Sequence, residues 1–334
     1  MAASTRVTLA TIAAETGVSV TTISKVLNGR GDVADATRTR VEAHLQRRGY
    51  SRRGSDRSDF VEVVLHELDP NWSLEVIDGV REVAAESGLT VSLSVSGDRH
   101  APAADWVTDV LRRRPAGVVL VSAGLPAAGR RKLGARGIPF VVLDPAGDPA
   151  PAVAAVGSAN WQGGLLATRH LIELGHRAIA AITGPADMMS SLARVDGYRS
   201  AMKAANLDAR PEWERYGDFR ESGGERHAAD LLALEESPTA IFAGSDLQAL
   251  GVLRVAARAG IAVPGDLSVV GYDDIPLARL MTPALTTVHQ PLRRMAEEAT
   301  RLVLKMKSGV EVEAARIDLA TSLVVRDSSA PPRR

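Results

Sequence analysis

Residues 7–50 read VTLATIAAETGVSVTTISKVLNGRGDVADATRTRVEAHLQRRGY, and this stretch decides how the fold begins. The side-chain oxygen of Thr8 is suited to accept from the first N–H groups of a helix, so it predicts an N-cap. Apolar residues follow at helical spacing, and Gly17 predicts the turn that ends this helix. Ser19 predicts a second N-cap, for a helix that reaches about Asn28.

A third helix is expected from about Asp35 to Arg48, where Val41 and Leu45 would complete a small apolar core. Two helices joined by a glycine-containing turn form the helix-turn-helix pattern. A small three-helix bundle with a merely solvated polar face has the same topology. Topology alone therefore leaves DNA binding open.

The composition is that of a globular protein with more than one domain. The chain has 334 residues, of which 45% are apolar and 24% charged. It has no Cys, which excludes disulfides and Cys-based zinc sites. No stretch has the apolar length of a signal peptide or a membrane span, so we expect a cytoplasmic protein without a membrane partner.

Charge is divided unevenly along the chain. Residues 1–60 hold ten Lys and Arg against six Asp and Glu, a net charge of +4, and the remainder carries −4. A basic head on an acidic body favours nucleic-acid binding through the head alone.

Strand-like and helical patterns alternate after residues 51–59, a polar segment typical of a linker. Eight short runs rich in β-branched residues extend from F-V-E-V-V-L at 60–65 to L-S-V-V-G-Y at 267–272. Such alternation predicts the α/β class, with parallel sheets covered by helices on both faces. The units are too many for one small sheet, so we expect two open parallel α/β subdomains.

Open α/β sheets bind ligands beyond the carboxyl ends of their strands. The residues of interest that follow the runs, all but Met189 polar or aromatic, are Asp69, Asn71, Trp72, Ser158, Asn160, Trp161, Met189, Ser190, Arg194, Phe219, Ser245, Asp246, Asp273 and Asp274. Carboxylates, amides, an arginine and aromatic rings suit a sugar, whose hydroxyls form hydrogen bonds and whose apolar faces lie on rings. Plainer explanations stay open: packing for each aromatic, capping for Asp246 and Asp274, and a surface ion pair for Arg194.

The head sequence T-L-A-T-I-A-A-E-T-G-V-S-V-T-T-I-S-K-V-L-N-G, residues 8–29, resembles the DNA-binding head of the lactose-repressor (LacI/GalR-type) family. By that resemblance Val20, Thr21 and Lys25 occupy base-reading positions, and a Lys donor suits guanine in the major groove. The expected contacts to the DNA backbone come from short polar side chains and two arginines, namely Thr8, Ser19, Thr22, Ser24, Asn28, Arg52 and Arg53.

The rest of the chain resembles the effector-binding core of the same family, which is similar to periplasmic sugar-binding proteins. The matching motifs include R-V-D-G-Y at 194–198, A-I-F-A-G-S-D-L-Q-A-L-G at 240–251 and L-S-V-V-G-Y-D-D at 267–274. The resemblance implies that Arg194 and Asp273 grip an effector and that Phe219 stacks on it. The other expected effector contacts are Trp72, Asn160, Trp161, Ser190, Ser245 and Asp246, with Ser245 standing where many relatives have Asn.

The linker departs from the family pattern. Relatives commonly carry a segment like P-N-x-x-A-x-x-L, which folds into a hinge helix on DNA, whereas this chain has S-R-R-G-S-D-R-S-D at 51–59. No apolar wedge is available to unstack a base step. Arg52, Arg53 and Arg57 are expected to bind DNA electrostatically, and a flexible tether is the alternative.

These observations predict a head at 1–50, a linker at 51–59, a core at 60–327 and a disordered tail at 328–334. One subdomain would comprise about 60–157 and 289–316, and the other about 158–288 and 317–327. We expect a homodimeric repressor that binds a palindromic operator and responds to a sugar-like effector, without cofactor or metal. A periplasmic solute receptor would need a signal peptide, and a sugar-acting enzyme would need catalytic motifs that the sequence lacks. The effector, the operator and the direction of the response are left open.

Overall fold

A computed structural model describes residues 8–27, 30, 33–48, 59–97, 102, 105–122, 124–310, 312 and 316–333. The residues form a helical head and two α/β subdomains, as the sequence predicts. The predictions for Asn28, Arg52, Arg53 and Arg57 fall outside the described residues.

The head consists of α1 (Leu9–Thr16), α2 (Val20–Leu27) and α3 (Asp35–Arg47). Thr8 caps α1, because its Oγ1 accepts from the backbone N–H of Thr11 at 3.2 Å. Gly17 ends this helix at φ +64°, a left-handed conformation that glycine adopts without a steric penalty. Apolar side chains of the three helices and of the segments between them form one small core, whose members are Ile12, Val18, Ile23, Val26, Leu27, Val33, Val41 and Leu45.

The first subdomain is built on a six-stranded sheet of order β11-β5-β4-β3-β1-β2, in which every pair is parallel. Its strands are β1 (Phe60–Leu65), β2 (Thr90–Val95), β3 (Gly117–Val121), β4 (Phe140–Leu143), β5 (Ala155–Ser158) and β11 (Arg316–Leu319). Its helices are α4 (Trp72–Glu86), α5 (Trp106–Arg113), α6 (Ala127–Gly134) and α11 (Leu292–Lys307). Separate apolar clusters lie on the two faces, so the central strands are buried on both sides.

The second subdomain has a sheet of order β12-β10-β9-β8-β6-β7, parallel except for the antiparallel edge strand β12. Its strands are β6 (Ile179–Thr183), β7 (Glu214–Tyr216), β8 (Ala240–Ala243), β9 (Ser268–Asp273), β10 (Thr286–His289) and β12 (Ser322–Val324). Its helices are α7 (Asn160–Glu173), α8 (Met189–Ala204), α9 (Glu221–Leu232) and α10 (Asp246–Arg258), with 3-10 turns at Pro211–Trp213 and Pro276–Arg279.

The chain passes between the subdomains three times, after β5, after β10 and between β11 and β12. Strand β11 pairs with β5 as far as Leu319, so the first subdomain extends beyond the predicted boundary at residue 316. Strand β10 pairs with β9 through His289, so that residue belongs to the second subdomain, not to the first. Both strands are only four residues long, and their partners β9 and β5 come from distant parts of the chain, so the local sequence pattern does not fix the boundaries.

The prediction of a disordered tail is wrong for the described residues 328–333. Ser328 is fully buried and its Oγ accepts from the backbone N–H of Thr286 at 2.8 Å. The carbonyl of Ala330 lies 2.9 Å from Nε2 of the buried His176. Local composition suggested disorder, but the segment satisfies its polar groups against the second subdomain.

Close packing of α7 on α8 fixes the elements nearest the interdomain cleft. A Cβ on Gly164 would lie 2.1 Å from the carbonyl oxygen of Arg194, and a Cβ on Gly197 would lie 2.1 Å from that of Trp161. Only glycine permits backbones to approach this closely. Arg194 and Trp161 are therefore carried by one rigid helix pair.

Candidate functional site

The carboxyl ends of the strands in both sheets border a cleft between the subdomains, where a cavity of about 340 Å³ lies. We call it the cleft cavity. Trp72 and Asp144 line it from the first subdomain, and Ser190, Arg194 and Asp273 line it from the second. This is the place where open α/β folds bind small molecules.

Arg194 is the best-anchored side chain of the cleft, with 4% of its surface exposed. Its Nε donates to Oδ1 of Asn160 at 2.8 Å, its Nη2 donates to Oε1 of Gln290 at 3.1 Å, and its Nη1 donates to the carbonyl of Gly244. The guanidinium carbon also lies 3.6 Å from the ring centroid of Tyr272, a cation–π contact. Arg194 is thus a fixed positive charge at the base of the cavity.

Two buried carboxylates, Asp144 and Asp273, face the cleft cavity beside this arginine. Nη2 of Arg194 lies 3.9 Å from Oδ1 of Asp273. Burial raises the pKa of both carboxyls, and the positive charge of Arg194 opposes that rise. Among the described residues, none donates a hydrogen bond to either carboxylate. Their acceptor capacity is therefore available to donors on a ligand.

Both aspartates also have left-handed backbones, with φ +48° at Asp144 and φ +104° at Asp273. Non-glycine residues rarely adopt such angles, and they concentrate at functional sites. Asp144 was not among the predicted site residues, because it is the last residue of P-F-V-V-L-D at 139–144, one of the eight β-branched-rich runs. Its position at the carboxyl end of β4 was the signal that could have found it.

The aromatic residues Phe219 and Trp72 line the cleft cavity from opposite subdomains. The Phe219 ring lies against Gly184, where a Cβ would be 2.1 Å from a ring carbon. Ser245 donates from Oγ to the carbonyl of Phe219 at 2.8 Å, so it positions the ring in addition to lining the cavity. Trp72 begins α4, and its backbone N–H donates to Oδ1 of Asp69 at 2.8 Å.

The structure separates three predicted effector contacts from the cleft cavity. Asn160 lies behind Arg194 and, with the half-exposed Trp161, lines a second cavity of about 380 Å³, which we call the side cavity. The prediction for Asp246 is wrong, because this fully buried residue lines neither cavity. Its carboxylate accepts from the hydroxyl of Thr287 at 2.5 Å and from the backbone N–H of Ile275 at 2.9 Å. Asp246 joins α10 to neighbouring segments instead.

The cleft cavity has an acidic lining. It includes five carboxyl side chains, Glu67, Asp69, Asp144, Asp218 and Asp273, against two arginines, Arg194 and Arg220. Arg220 pairs with Glu67, and Arg194 is already committed to protein acceptors. This electrostatic balance disfavours an anionic ligand and favours a neutral one rich in hydroxyl donors. Within the described part of the chain, no cluster of His, Asp or Glu could hold a metal ion.

The helix α2 has an inward apolar face and an outward polar face. Ile23 and Val26 are fully buried, whereas Val20 and Thr21 are exposed and Lys25 is half-buried. This places the three predicted base-reading residues on the outer side of α2.

Of the predicted contacts to the DNA backbone, Thr8 and Ser19 precede α1 and α2, whereas Thr22 and Ser24 lie within α2. Ser19 caps α2, because its Oγ accepts from the backbone N–H of Thr22 at 3.1 Å. Thr8 is exposed at the start of α1, and Ser24 is half-buried on α2. Hydroxyls and free N–H groups at helix N-termini are suited to phosphate contacts.

Comparison with known proteins decides the family. Residues 8–53 match the bacterial regulatory proteins of the lacI family, and residues 168–329 match a periplasmic binding protein-like domain. The transcriptional regulator CelR of Thermobifida fusca is 35% identical over 337 residues, covering 97% of this chain and 98% of that protein. The chain belongs to the lacI family. The transcriptional repressor PurR of Erwinia tasmaniensis, 33% identical over 330 residues and 97% of each chain, is a similar member.

Solved structures of lacI-family regulators have the same fold. A complex of the regulator CelR with cellobiose has a TM-score of 0.73 at 34% identity, covering 97% of this chain and all of that one. The lac repressor dimer bound to operator and the anti-inducer ONPF has a TM-score of 0.71 at 26% identity, covering 98% and 100%. The lacI-family chain described here is accordingly a DNA-binding transcriptional regulator. Among its described helices, none has both the length and the apolarity to cross a membrane.

Proposed function

We propose that this lacI-family regulator is a cytoplasmic repressor that binds a palindromic operator as a homodimer and releases it when a neutral sugar occupies the cleft cavity. The observation that carries the choice of effector is the pair of buried carboxylates, Asp144 and Asp273. Both face the cavity, and no described residue donates a hydrogen bond to either. Sugar hydroxyls are donors that would satisfy them, and the rings of Trp72 and Phe219 offer surfaces for the apolar faces of a sugar.

One relative supports the sugar assignment. CelR, whose structure contains cellobiose, is similar over nearly the whole chain. An anionic effector such as a sugar phosphate would meet the acidic lining and find Arg194 occupied by Asn160, Gln290 and Gly244. We therefore expect neutral sugars to bind and their phosphate esters to bind more weakly.

We infer that α2 enters the major groove, with Val20, Thr21 and Lys25 reading base edges. One head reads one half-site, so a two-fold dimer matches a palindromic operator. Exposed apolar side chains support such a dimer. They are Leu74, Leu93 and Val95 on the first subdomain and Leu280, which is 73% exposed, on the second. The lac repressor, bound to operator as a dimer, supports it as well.

The test uses the full-length protein and an operator selected from a random duplex library. Mobility shift is measured with and without cellobiose, other mono- and disaccharides, and glucose 6-phosphate. We expect a neutral sugar to weaken operator binding and glucose 6-phosphate to leave it unchanged. Release by the phosphate ester alone would contradict the carboxylate argument.

Light scattering at micromolar concentration should give the mass of a dimer. The mass of a tetramer would contradict the proposed homodimer.

We also infer that the protein is not an enzyme, in keeping with relatives that are transcriptional regulators. Asp144 and Asp273 lie beside a fixed arginine and are proposed to bind hydroxyls, not to transfer protons. Cellobiose incubated with the protein should be recovered intact by chromatography. Appearance of glucose would assign these carboxylates to hydrolysis.

A further inference from the structure

The side cavity is a feature that the proposed function does not use. Its volume is about 380 Å³, comparable with the 340 Å³ of the cleft cavity. Asp144 and Ser190 line both cavities, so the cavities are neighbours that share these two side chains. A ligand with one ring in each cavity would have its linkage beside Asp144 and Ser190.

Trp161 supplies an aromatic wall in the side cavity. It lies in the first turn of α7 and is 48% exposed, whereas Trp106 and Trp213 are buried in apolar cores at 6% and 4% exposure. Packing does not require a large ring left half exposed. A ring of this kind offers an apolar face to a sugar while its N–H stays available to water or a hydroxyl.

The edge strand β11 supplies polar groups to the lining of the side cavity. Arg316 and Asp318 line the side cavity, each about half exposed, and their charged groups lie 3.6 Å apart. A Cβ on Gly157 would lie 2.8 Å from Oδ1 of Asp318, so the absence of a side chain at residue 157 leaves room for this carboxylate beside β5. An aromatic ring, a donor and an acceptor in one cavity are the groups that bind a polyhydroxylated ring.

We propose that the effector is a glycoside of at least two rings, with one ring in the cleft cavity and the next on Trp161 in the side cavity, its linkage passing Asp144 and Ser190. The proposal rests on the proposed function, because it takes the cleft cavity to be a sugar site. It adds Trp161, Arg316 and Asp318 as the residues that select ligand length.

The experiment is isothermal titration calorimetry of the full-length protein with glucose, cellobiose, maltose and lactose. We expect one disaccharide to bind at least about tenfold more tightly than glucose, a difference of about 1.4 kcal/mol. Trp161→Ala should weaken that disaccharide about tenfold and change glucose affinity less than twofold. Trp161→Phe, which keeps an aromatic face, should restore most of the affinity.

Two further variants separate the possible failures. Leu192→Ala removes an exposed side chain of the neighbouring helix α8 outside both cavities and should change nothing. Phe219→Ala should weaken glucose and disaccharide alike. Equal affinity for glucose and every disaccharide, unchanged by Trp161→Ala, would overturn the two-ring proposal and leave the sugar site standing. Absence of binding by all four sugars would count against both.

Discussion

Arg194 allows the sharpest quantitative prediction, because the structure gives it two tasks at once. It donates hydrogen bonds to Asn160, Gln290 and Gly244, and it compensates the buried carboxylates of Asp144 and Asp273. Arg194→Met keeps the length and most of the volume of the side chain and removes the charge and every donor. The variant should therefore lose stability as well as effector binding.

Breaking a buried charge pair by removing one partner typically costs about 3–5 kcal/mol, because the remaining charge is left without compensation. We expect Arg194→Met to lower the free energy of unfolding of the core by about that amount, measured by urea denaturation at pH 7. Arg112→Met on α5 is the control. Its ion pair with Asp109 is exposed on both partners, so the substitution should cost no more than about 1 kcal/mol.

Asp273→Asn should rescue the Arg194→Met variant, since it removes a charge that has lost its partner. The two changes should couple by about 1–3 kcal/mol in a double-mutant cycle. The sign of the pH effect follows from the raised pKa of Asp273. Because the folded protein holds that proton at higher pH than the unfolded chain, the deficit of Arg194→Met should shrink as pH falls from 7 towards 4.

Three outcomes would refute this reasoning. The first is an Arg194→Met variant whose free energy of unfolding lies within about 1 kcal/mol of the wild-type value, since a surface ion pair contributes no more than that. The second is strict additivity with Asp273→Asn. The third is a deficit that grows as the pH falls. Any of them would mean that the carboxylates are already satisfied without Arg194.

Three other changes test separate parts of the molecule. Gly184→Ala places a Cβ 2.1 Å from the Phe219 ring and should displace the ring. Sugar affinity measured by calorimetry should fall at least about tenfold while operator binding persists. Unchanged affinity would mean that the Phe219 ring does not contact the sugar. Lys25→Ala should lose about 1–3 kcal/mol of discrimination at one base pair per half-site in an operator-library assay, and an unaltered base preference would exclude this residue from readout. Burial raises the pKa of Asp246 to about 7, so its ionisation destabilises the fold as pH rises from about 4 to about 7. The denaturation midpoint of Asp246→Asn should therefore depend less on pH over this window than that of wild type. An identical pH profile of the two proteins would contradict the raised pKa.

The sequence alone determined the helical head, because each of its signals acts within a few residues. Thr8 and Ser19 cap the helices that follow them, and Gly17 ends α1 with a left-handed backbone, as predicted. It also determined the alternation of strands and helices, since burial of a strand on both faces imposes a continuous apolar run. The sequence also predicted a ligand site at the strand ends, because parallel strands bring their carboxyl ends to one edge of a sheet.

Tertiary structure decided which of those strand-end residues face the cleft. Asp246 and Asp273 both follow apolar strands, yet Thr287 and Ile275 hold the first inside the subdomain and only the second lines the cavity. The order of the crossovers, the binding of the tail through Ser328 and the division of the cleft into two cavities also depend on contacts between distant segments. Sequence spacing cannot give them, because these contacts depend on how helices and sheets pack in three dimensions, which no local pattern encodes.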